Sequence, residues 1–333
     1  MKTFIIAEIG VNHNGKIKLA KKLIKIAKNS GANAVKFQSY VSKDLVSKKA
    51  KLAGYQKKKV KHNSMLSMLK RYELKKKDQK FLFEYCKKIN IEFISSAFDL
   101  SSLNFLSNEL NLKRLKVPSG EITNFPYLEE LSKTKKLIIL STGMANIVEI
   151  KRALKVLKKN GVKNNKISIL HCNTAYPTPI KDSNLKSIPF LKKKLKLKVG
   201  FSDHTIGMEA ALAAVTLGAD IIEKHLTLNK KLGGPDHASS MTPNEFKNMV
   251  LSIRKVELCL GKKNKPVTNS EKKNIKFVRK SIVAKKPILK GEKFNYQNLT
   301  IKRPGTGVSP FLWNKVLKLK AKKNFKQDEL IKI

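Results

Sequence analysis

Two histidines stand where chemistry is possible. His204 follows the apolar run Lys198–Asp203, and His225 lies within the run Ile221–Thr227. A helix-like segment, Ile206–Gly218, separates the runs. Run, helix, run reads as a β-α-β unit, whose parallel strands lie about 4.8 Å apart. Imidazoles at the carboxyl ends of adjacent strands can share one metal ion. A His pair with open positions suits a divalent ion that also takes water and a substrate oxygen. Cys86, Cys172 and Cys259 are far apart and offer neither a disulfide framework nor a zinc pattern, so they read as buried thiols.

Every apolar run, these two included, ends in polar or ionisable groups. They are Glu8; Lys36 and Gln38; Ser95 and Ser96; Lys116, Ser119 and Glu121; Ser141 and Thr142; His171, Asn173, Thr174 and Tyr176; Ser202 and Asp203; Glu223 and Lys224. Polarity returns at strand ends in any fold, so a single member says little and the set says more. Two lysines among serine and threonine hydroxyls suit an anionic, oxygen-rich substrate such as a phosphate or carboxylate, with lysine as a point charge. Glu8, Glu121, Asp203, Glu223 and Asp236 are candidate acids, bases or hydroxyl binders. The turn Gly233–His237 carries Asp236 and His237 over the same mouth. His237 ranks below the pair as a third ligand, because it lies in a loop. His13 and His62 read as loop-surface histidines. His171 and Cys172 are neighbours on one strand, so alternation turns one of them toward the helices.

The elements that must position these residues follow from periodicity. The first six apolar runs are Phe4–Ile9, Ala34–Gln38, Glu92–Phe98, Arg114–Ser119, Leu137–Thr142 and Ile167–Asn173. Between the runs, helical spacing appears at Ile17–Asn29, Asp78–Ile89, Pro126–Ser132 and Ile147–Lys159, and a last helix spans Asn244–Leu260. Eight runs alternating with helices over about 260 residues predict a (β/α)8 TIM barrel, with a doubly wound open sheet as the alternative. Neither a dinucleotide G-x-G-x-x-G nor a P-loop is present. Ser39 to about Lys75, with Tyr55, Gln56, His62 and Asn63, reads as a long irregular lid or binding loop. Residues 1–260 form the barrel domain, 261–278 a lysine-rich linker with Pro266, and 279–333 a small β-rich domain that leans on the barrel or a partner subunit.

The bulk composition narrows the class. A 41% hydrophobic fraction supports a sizeable core. No apolar run approaches the roughly 20 residues of a membrane helix. The start lacks a secretory pattern, so the expected location is cytoplasmic, without a membrane partner. The net charge is +47, carried by lysines spread over nearly every helix, with arginine only at 71, 114, 152, 254, 279 and 303. That distribution reads as compositional bias rather than specific nucleic-acid recognition, with nonspecific polyanion binding at low salt as a remaining alternative.

Several segments together carry a resemblance. They are Ile6–Gly15, Val35-Lys-Phe-Gln38, Lys116–Glu121, Leu140–Met144, His171-Cys172 to Tyr176–Pro179, Gly200–Thr205, Glu223–His225 and Gly234-Pro-Asp236. The chain resembles the sialic acid synthase family, the phosphoenolpyruvate-condensing synthases of nonulosonic acids. Arg279–Ile282 and Lys302–Gly307 resemble that family's antifreeze-like (SAF) domain. The resemblance implies a TIM barrel joined to a β-clip SAF domain in a domain-swapped homodimer. It implies condensation of phosphoenolpyruvate (PEP) with an N-acylated mannosamine-type sugar and release of phosphate. By the same resemblance His204 and His225 hold a divalent ion, Mn2+ ahead of Mg2+ and Co2+. Lys36, Ser96, Lys116, Ser119, Ser141, Thr174 and Ser202 match the PEP pocket. Gln38, Glu121, Tyr176, Asp236, Phe277 and Arg303 match the sugar site, with Arg303 coming from the partner subunit. Glu8 and Lys36 match residues beside the reacting atoms. Ser96-Ala97 stands where members often carry Thr-Pro, and Thr174 where some carry Asn. Tyr55-Gln56, Pro235–His237 and Lys302–Gly307 are more similar to the legionaminic than to the pseudaminic branch; an N-acetylneuraminate synthase is the alternative. Outside the family, a Schiff-base aldolase using Lys36, Lys116 or Lys224 fits the same residue types, and a non-enzymatic polyanion binder fits the charge.

Overall fold

The computed structural model describes residues 2–47, 49–50 and 64–333. Eight parallel strands close into a barrel in sequence order: β1 Phe4–Gly10, β2 Ala34–Ser39, β3 Glu92–Ala97, β4 Arg114–Val117, β5 Leu137–Ser141, β6 Ile167–Cys172, β7 Lys198–Asp203 and β8 Ile221–His225. β8 pairs with β1, with Glu8 opposite His225. The expected TIM barrel is therefore present, and the open-sheet alternative falls.

Each strand is followed by a helix: α1 Ile17–Asn29, α2 Lys76–Lys88, α3 Leu100–Asn104, α4 Phe125–Lys133, α5 Ile147–Lys159, α6 Ser187–Leu195, α7 Glu209–Thr216 and α8 Pro243–Leu260. α3 runs on into a π-turn, Phe105–Glu109. In α5, Ile150, Ala153, Leu154 and Leu157 recur at three- and four-residue steps and are all buried. Asn146 caps that helix by accepting from the N–H groups of Val148 and Glu149, and Glu149 returns a bond to the Asn146 N–H. α6 has no counterpart in the sequence reading: only Ile188 and Leu191 of it are buried, and a lysine run hides the period. The segment expected to be irregular between β2 and α2 contains two short helices, Ser42–Leu45 and Met65–Tyr72. Tyr55, Gln56, His62 and Asn63 lie outside the described residues.

The barrel interior is layered. Ile6, Ala34, Ile94, Ile139, Leu170 and Ile221 form an apolar plug. Two residues further along the strands the inward positions become Glu8, Lys36, Ser96, Lys116, Ser141, Cys172, Ser202 and Glu223. The larger core lies between strands and helices, from Ile5 and Leu23 through Phe37 and Tyr127 to Phe246 and Ile253. The plug forces the polar layer toward the carboxyl-end mouth.

The chain divides into two compact units, Met1–Gly261 and Lys262–Ile333. Inside the stretch read as linker, a helix α9, Asn269–Val278, begins at a Thr268–Glu271 capping box. The second unit pairs β9 Ser281–Ala284 with β10 Leu299–Lys302, antiparallel. The other expected tail strands reduce to isolated bridges such as Ile288 with Phe325. This unit has its own apolar cluster, including Ile282, Phe294, Leu299, Phe325 and Ile331. Among the described residues, no helix is long and apolar enough to cross a membrane.

Candidate active site

Period-two alternation sorts the strand-end residues into two sets. Facing the mouth are Glu8, Lys36, Gln38, Ser96, Lys116, Ser141, Cys172, Ser202, Glu223 and His225, all lining one cavity of about 280 Å3. Their neighbours face the helices. Ser95 shares a 2.6 Å hydrogen bond with Ser39. The Lys224 ammonium sits 2.7 Å from Asp203 and donates to the Thr205 carbonyl at 2.6 Å. Asp203 accepts from the Thr205 N–H and hydroxyl. Asp203 and Lys224 are therefore partners in a buried pair outside the cavity lining. This removes Lys224 as a Schiff-base candidate. Of the adjacent His171 and Cys172, Cys172 is the inward one, 3.3 Å from the Ser119 hydroxyl, while His171 stacks on Phe201.

A charged cluster forms the cavity floor. The Lys36 ammonium lies 2.7 Å from Glu8 and 3.9 Å from Glu223, and donates to the Ser96 hydroxyl at 3.2 Å. Lys116 lies 3.8 Å from Glu223 and donates to the Ser141 hydroxyl at 2.6 Å. Ser202 donates to Glu223 at 2.9 Å. All four charged groups are buried. Burial disfavours charge on each, so the neighbours decide the outcome. For Glu8, burial wins with help from Glu223 against the pull of Lys36, and its pKa rises to about 8. For Glu223, burial is outweighed by Lys116 and Lys36, which hold its pKa below the usual carboxylate value. Burial is likewise outweighed at Lys36 by Glu223 and Glu8, so its pKa rises, whereas burial lowers that of Lys116. Two neighbouring carboxylates are thus pushed apart, one to hold a proton near neutrality and one to stay ionised.

The imidazole pair stands beside this floor, with ring centroids 5.5 Å apart. His204 Nδ1 must carry its hydrogen, because it bonds the Asn173 carbonyl at 2.6 Å. Burial lowers the His204 pKa to about 4, so the ring is neutral and Nε2 presents a lone pair. Burial also holds His225 well below the usual histidine value. Its Nδ1 is buried with no hydrogen-bond partner among the described residues, and lies 3.9 Å from Asp236. Tyr176 packs over both rings, 4.1 Å from His204 and 5.8 Å from His225. Two neutral imidazoles, one with an orphaned buried nitrogen, fit a divalent ion. Among the described residues no group of three or more His, Cys, Asp or Glu gathers for a metal. The remaining positions would therefore fall to water and substrate oxygens.

Some expected residues land elsewhere. His237 is fully committed, Nδ1 to Thr227 at 2.7 Å and Nε2 to Asn14 at 3.2 Å, and drops out as a third ligand. His13 is buried rather than on a loop surface, at 1% exposure; its Nδ1 accepts from the Gly15 N–H at 3.0 Å. His62 lies outside the described residues. Cys259 is exposed, unlike Cys86 and Cys172, because it falls on the solvent side of α8. Ser119, Thr174, Tyr176 and Asp236 join the lining. Glu121 does not: it ends the short 3-10 turn Ser119–Glu121 and accepts from the Asn124 amide at 2.6 Å. Phe277 and Arg303 belong to the second unit, where the Arg303 Nε donates to the Val278 carbonyl at 3.1 Å. The lining also includes Tyr40, Leu45, Met68, Leu69, Tyr72 and Phe98, which the sequence reading passed over. Met65, Met68, Leu69 and Tyr72 recur at helical steps and could have signalled that wall.

A closed barrel with a buried lysine–glutamate floor and an imidazole pair at its carboxyl end has the build of a barrel enzyme. Comparison with known proteins specifies it. The NeuB family profile matches residues 23–265 and the SAF domain profile residues 279–333. The chain belongs to the NeuB family and carries a SAF domain. It is 53% identical over 332 residues to the N,N'-diacetyllegionaminic acid synthase of Campylobacter jejuni, covering 99% of both chains. It is 44% identical over 313 residues to the Legionella pneumophila enzyme of the same name, covering 93% of this chain and 88% of that one. Its structure is similar to the N-acetylneuraminic acid synthetase of Leptospira borgpetersenii, with a TM-score of 0.74, 35% identity, and coverage of 83% of this chain and 90% of that one.

Proposed function

We propose that this chain is an N,N'-diacetyllegionaminic acid synthase that condenses phosphoenolpyruvate with the open-chain 4-acetamido-6-deoxy analogue of N-acetylmannosamine. The observation that carries the reaction is the floor: two buried lysines share carboxylates beside the imidazole pair. Full-length similarity to synthases of that name supports the acceptor. The reading takes the protein to be cytoplasmic.

Lys36 and Lys116 bind the phosphate and carboxylate of PEP as point charges, and Ser96, Ser119, Ser141, Thr174 and Ser202 donate hydroxyls around them. Glu223, kept ionised, holds both ammonium groups toward the cavity. Gln38, Tyr176 and Asp236 serve the acceptor hydroxyls. Bound by His204 and His225, a divalent ion, Mn2+ ahead of Mg2+ and Co2+, supplies Lewis-acid polarisation of an aldehyde oxygen. PEP C3 forms a bond to the aldehyde carbon, whose oxygen gains a proton. Water adds at C2 and loses one proton, balancing the one gained by the aldehyde oxygen; the resulting C2 hydroxyl gives up its proton as the C2–O bond to phosphate breaks, leaving the keto acid and protonated phosphate. Glu8, with its pKa near 8, moves a proton between these oxygens. The same reading includes a domain-swapped homodimer, in which Phe277 and Arg303 serve acceptor binding, Arg303 from the partner subunit; sedimentation as a 37.6 kDa monomer would end that part.

The test offers PEP with N-acetylmannosamine or with its 4-acetamido-6-deoxy analogue and measures phosphate release. Fast release with the analogue is expected. Equal rates would remove the choice of acceptor, and no release with either would remove the synthase.

A further inference from the structure

One wall of the cavity has no part in the chemistry above. Leu45, Met68, Leu69 and Tyr72 line it, next to Tyr40 and Phe98. They come from the β1–β3 side of the mouth, across the barrel from Tyr176 and His204. Met68 and Tyr72 join Val11 in an apolar cluster separate from the main core, with Met65 and Leu69 packed against it.

The wall is held in place. Ser64 caps the helix Met65–Tyr72 by accepting from the Ser67 N–H at 3.2 Å. The Tyr40 hydroxyl donates to the Leu69 carbonyl at 3.2 Å. The Ser42 N–H donates to Glu73 at 2.9 Å, tying the helix end to the chain after β2. A fixed apolar face turned into a charged cavity is unfavourable in water and gains when a ligand covers it.

We infer that Leu45, Met68, Leu69 and Tyr72 form the acceptor-selecting surface, receiving the C6 methyl and an acetamido methyl of a 6-deoxy, diacetamido sugar. This rests on the proposed function. The acceptor's polar end faces His204 and Tyr176, which turns its apolar substituents toward the opposite side. A C6 hydroxyl pressed on the Leu45, Met68 and Leu69 side chains loses water and finds no hydrogen-bond partner in them. Apolar surfaces reject an added hydroxyl by about 10- to 100-fold in kcat/KM.

The experiment uses the full chain with Leu69→Asn and Leu69→Ala. Leu69 is only partly buried, so both should fold, and the alanine variant separates lost surface from added polarity. kcat/KM is measured for N-acetylmannosamine and for its 4-acetamido-6-deoxy analogue, and KM for PEP separately. The native protein should favour the analogue by about 10- to 100-fold. Leu69→Asn should cut that ratio about tenfold through the analogue's KM, Leu69→Ala less, with the KM for PEP unmoved. An unchanged ratio in both folded variants, or a KM for PEP rising in step, overturns the inference. Equal native use of both sugars also overturns it while PEP condensation stands. No PEP consumption with either sugar overturns the proposed function and this inference with it.

Discussion

His204 and His13 are both buried neutral histidines with different tasks. His204 keeps a lone pair directed at the cavity by spending its Nδ1 hydrogen on the Asn173 carbonyl. Replacing it by alanine should weaken Mn2+ binding at least tenfold and abolish turnover, while the far-UV spectrum stays native. Full activity in that variant would remove His204 from the mechanism. In the native protein, EDTA should stop turnover and Mn2+ restore it. His13 reports on stability instead. Burial lowers its pKa from 6.5 to about 4. The unfolded chain therefore takes up a proton near pH 6.5 that the folded chain refuses until about pH 4. The stability this burial allows is intact above pH 6.5 and is lost as pH falls toward 4. His13→Gln, which keeps an acceptor for the Gly15 N–H, should reduce the loss between pH 7 and 4.5 by about 2 kcal/mol in urea titrations. Identical losses in both proteins would rule out His13 as the titrating group.

Among the elements, β7 and β8 carry the closest tolerance. Gly200 faces the barrel interior, where a Cβ would meet the Ile221 carbonyl at 2.4 Å, the Ile221 Cβ at 2.6 Å and Leu170 at 2.7 Å. The strand that delivers Ser202 and His204 therefore runs against its neighbour with no room for a methyl group. Gly200→Ala should cost about 3 kcal/mol and lower the urea midpoint, since neighbouring backbone cannot yield as a flexible side chain would. An unchanged midpoint would mean that β7 can slide without penalty. Helix periodicity made most barrel helices legible, because Ile150, Ala153, Leu154 and Leu157 in α5 leave little alternative. It failed at α6, where lysines occupy the period, and at Met65–Tyr72, where a long polar approach masked a short amphipathic turn.

At the scale of the whole molecule, the charge of +47 stands apart from the chemistry. The floor of the cavity is compensated locally, with Lys36 and Lys116 each near a buried carboxylate. The excess lies on the surface, where about 0.1 M salt screens charges beyond roughly 10 Å. The protein should bind heparin at about 50 mM salt and release it well below 1 M, while turnover changes less than about twofold between 50 and 200 mM. A turnover that falls in parallel with heparin release would tie the surface charge to function.

The order of strands and helices, the family and the residues able to do chemistry were determined by the sequence itself, since alternation, caps and motifs are local. Lys36, Lys116, Glu8 and Glu223 were visible as types at strand ends. Tertiary structure decided which of them share a cavity. Closure brings β8 beside β1 and sets Glu8 against His225, and the pleat sends Lys224 to Asp203 and away from the mouth. It also decided protonation, because burial and neighbouring charge split Glu8 from Glu223 although the two side chains are chemically identical. The apolar wall was decided the same way: Leu69 and Tyr72 join the cavity lining only through the tertiary fold.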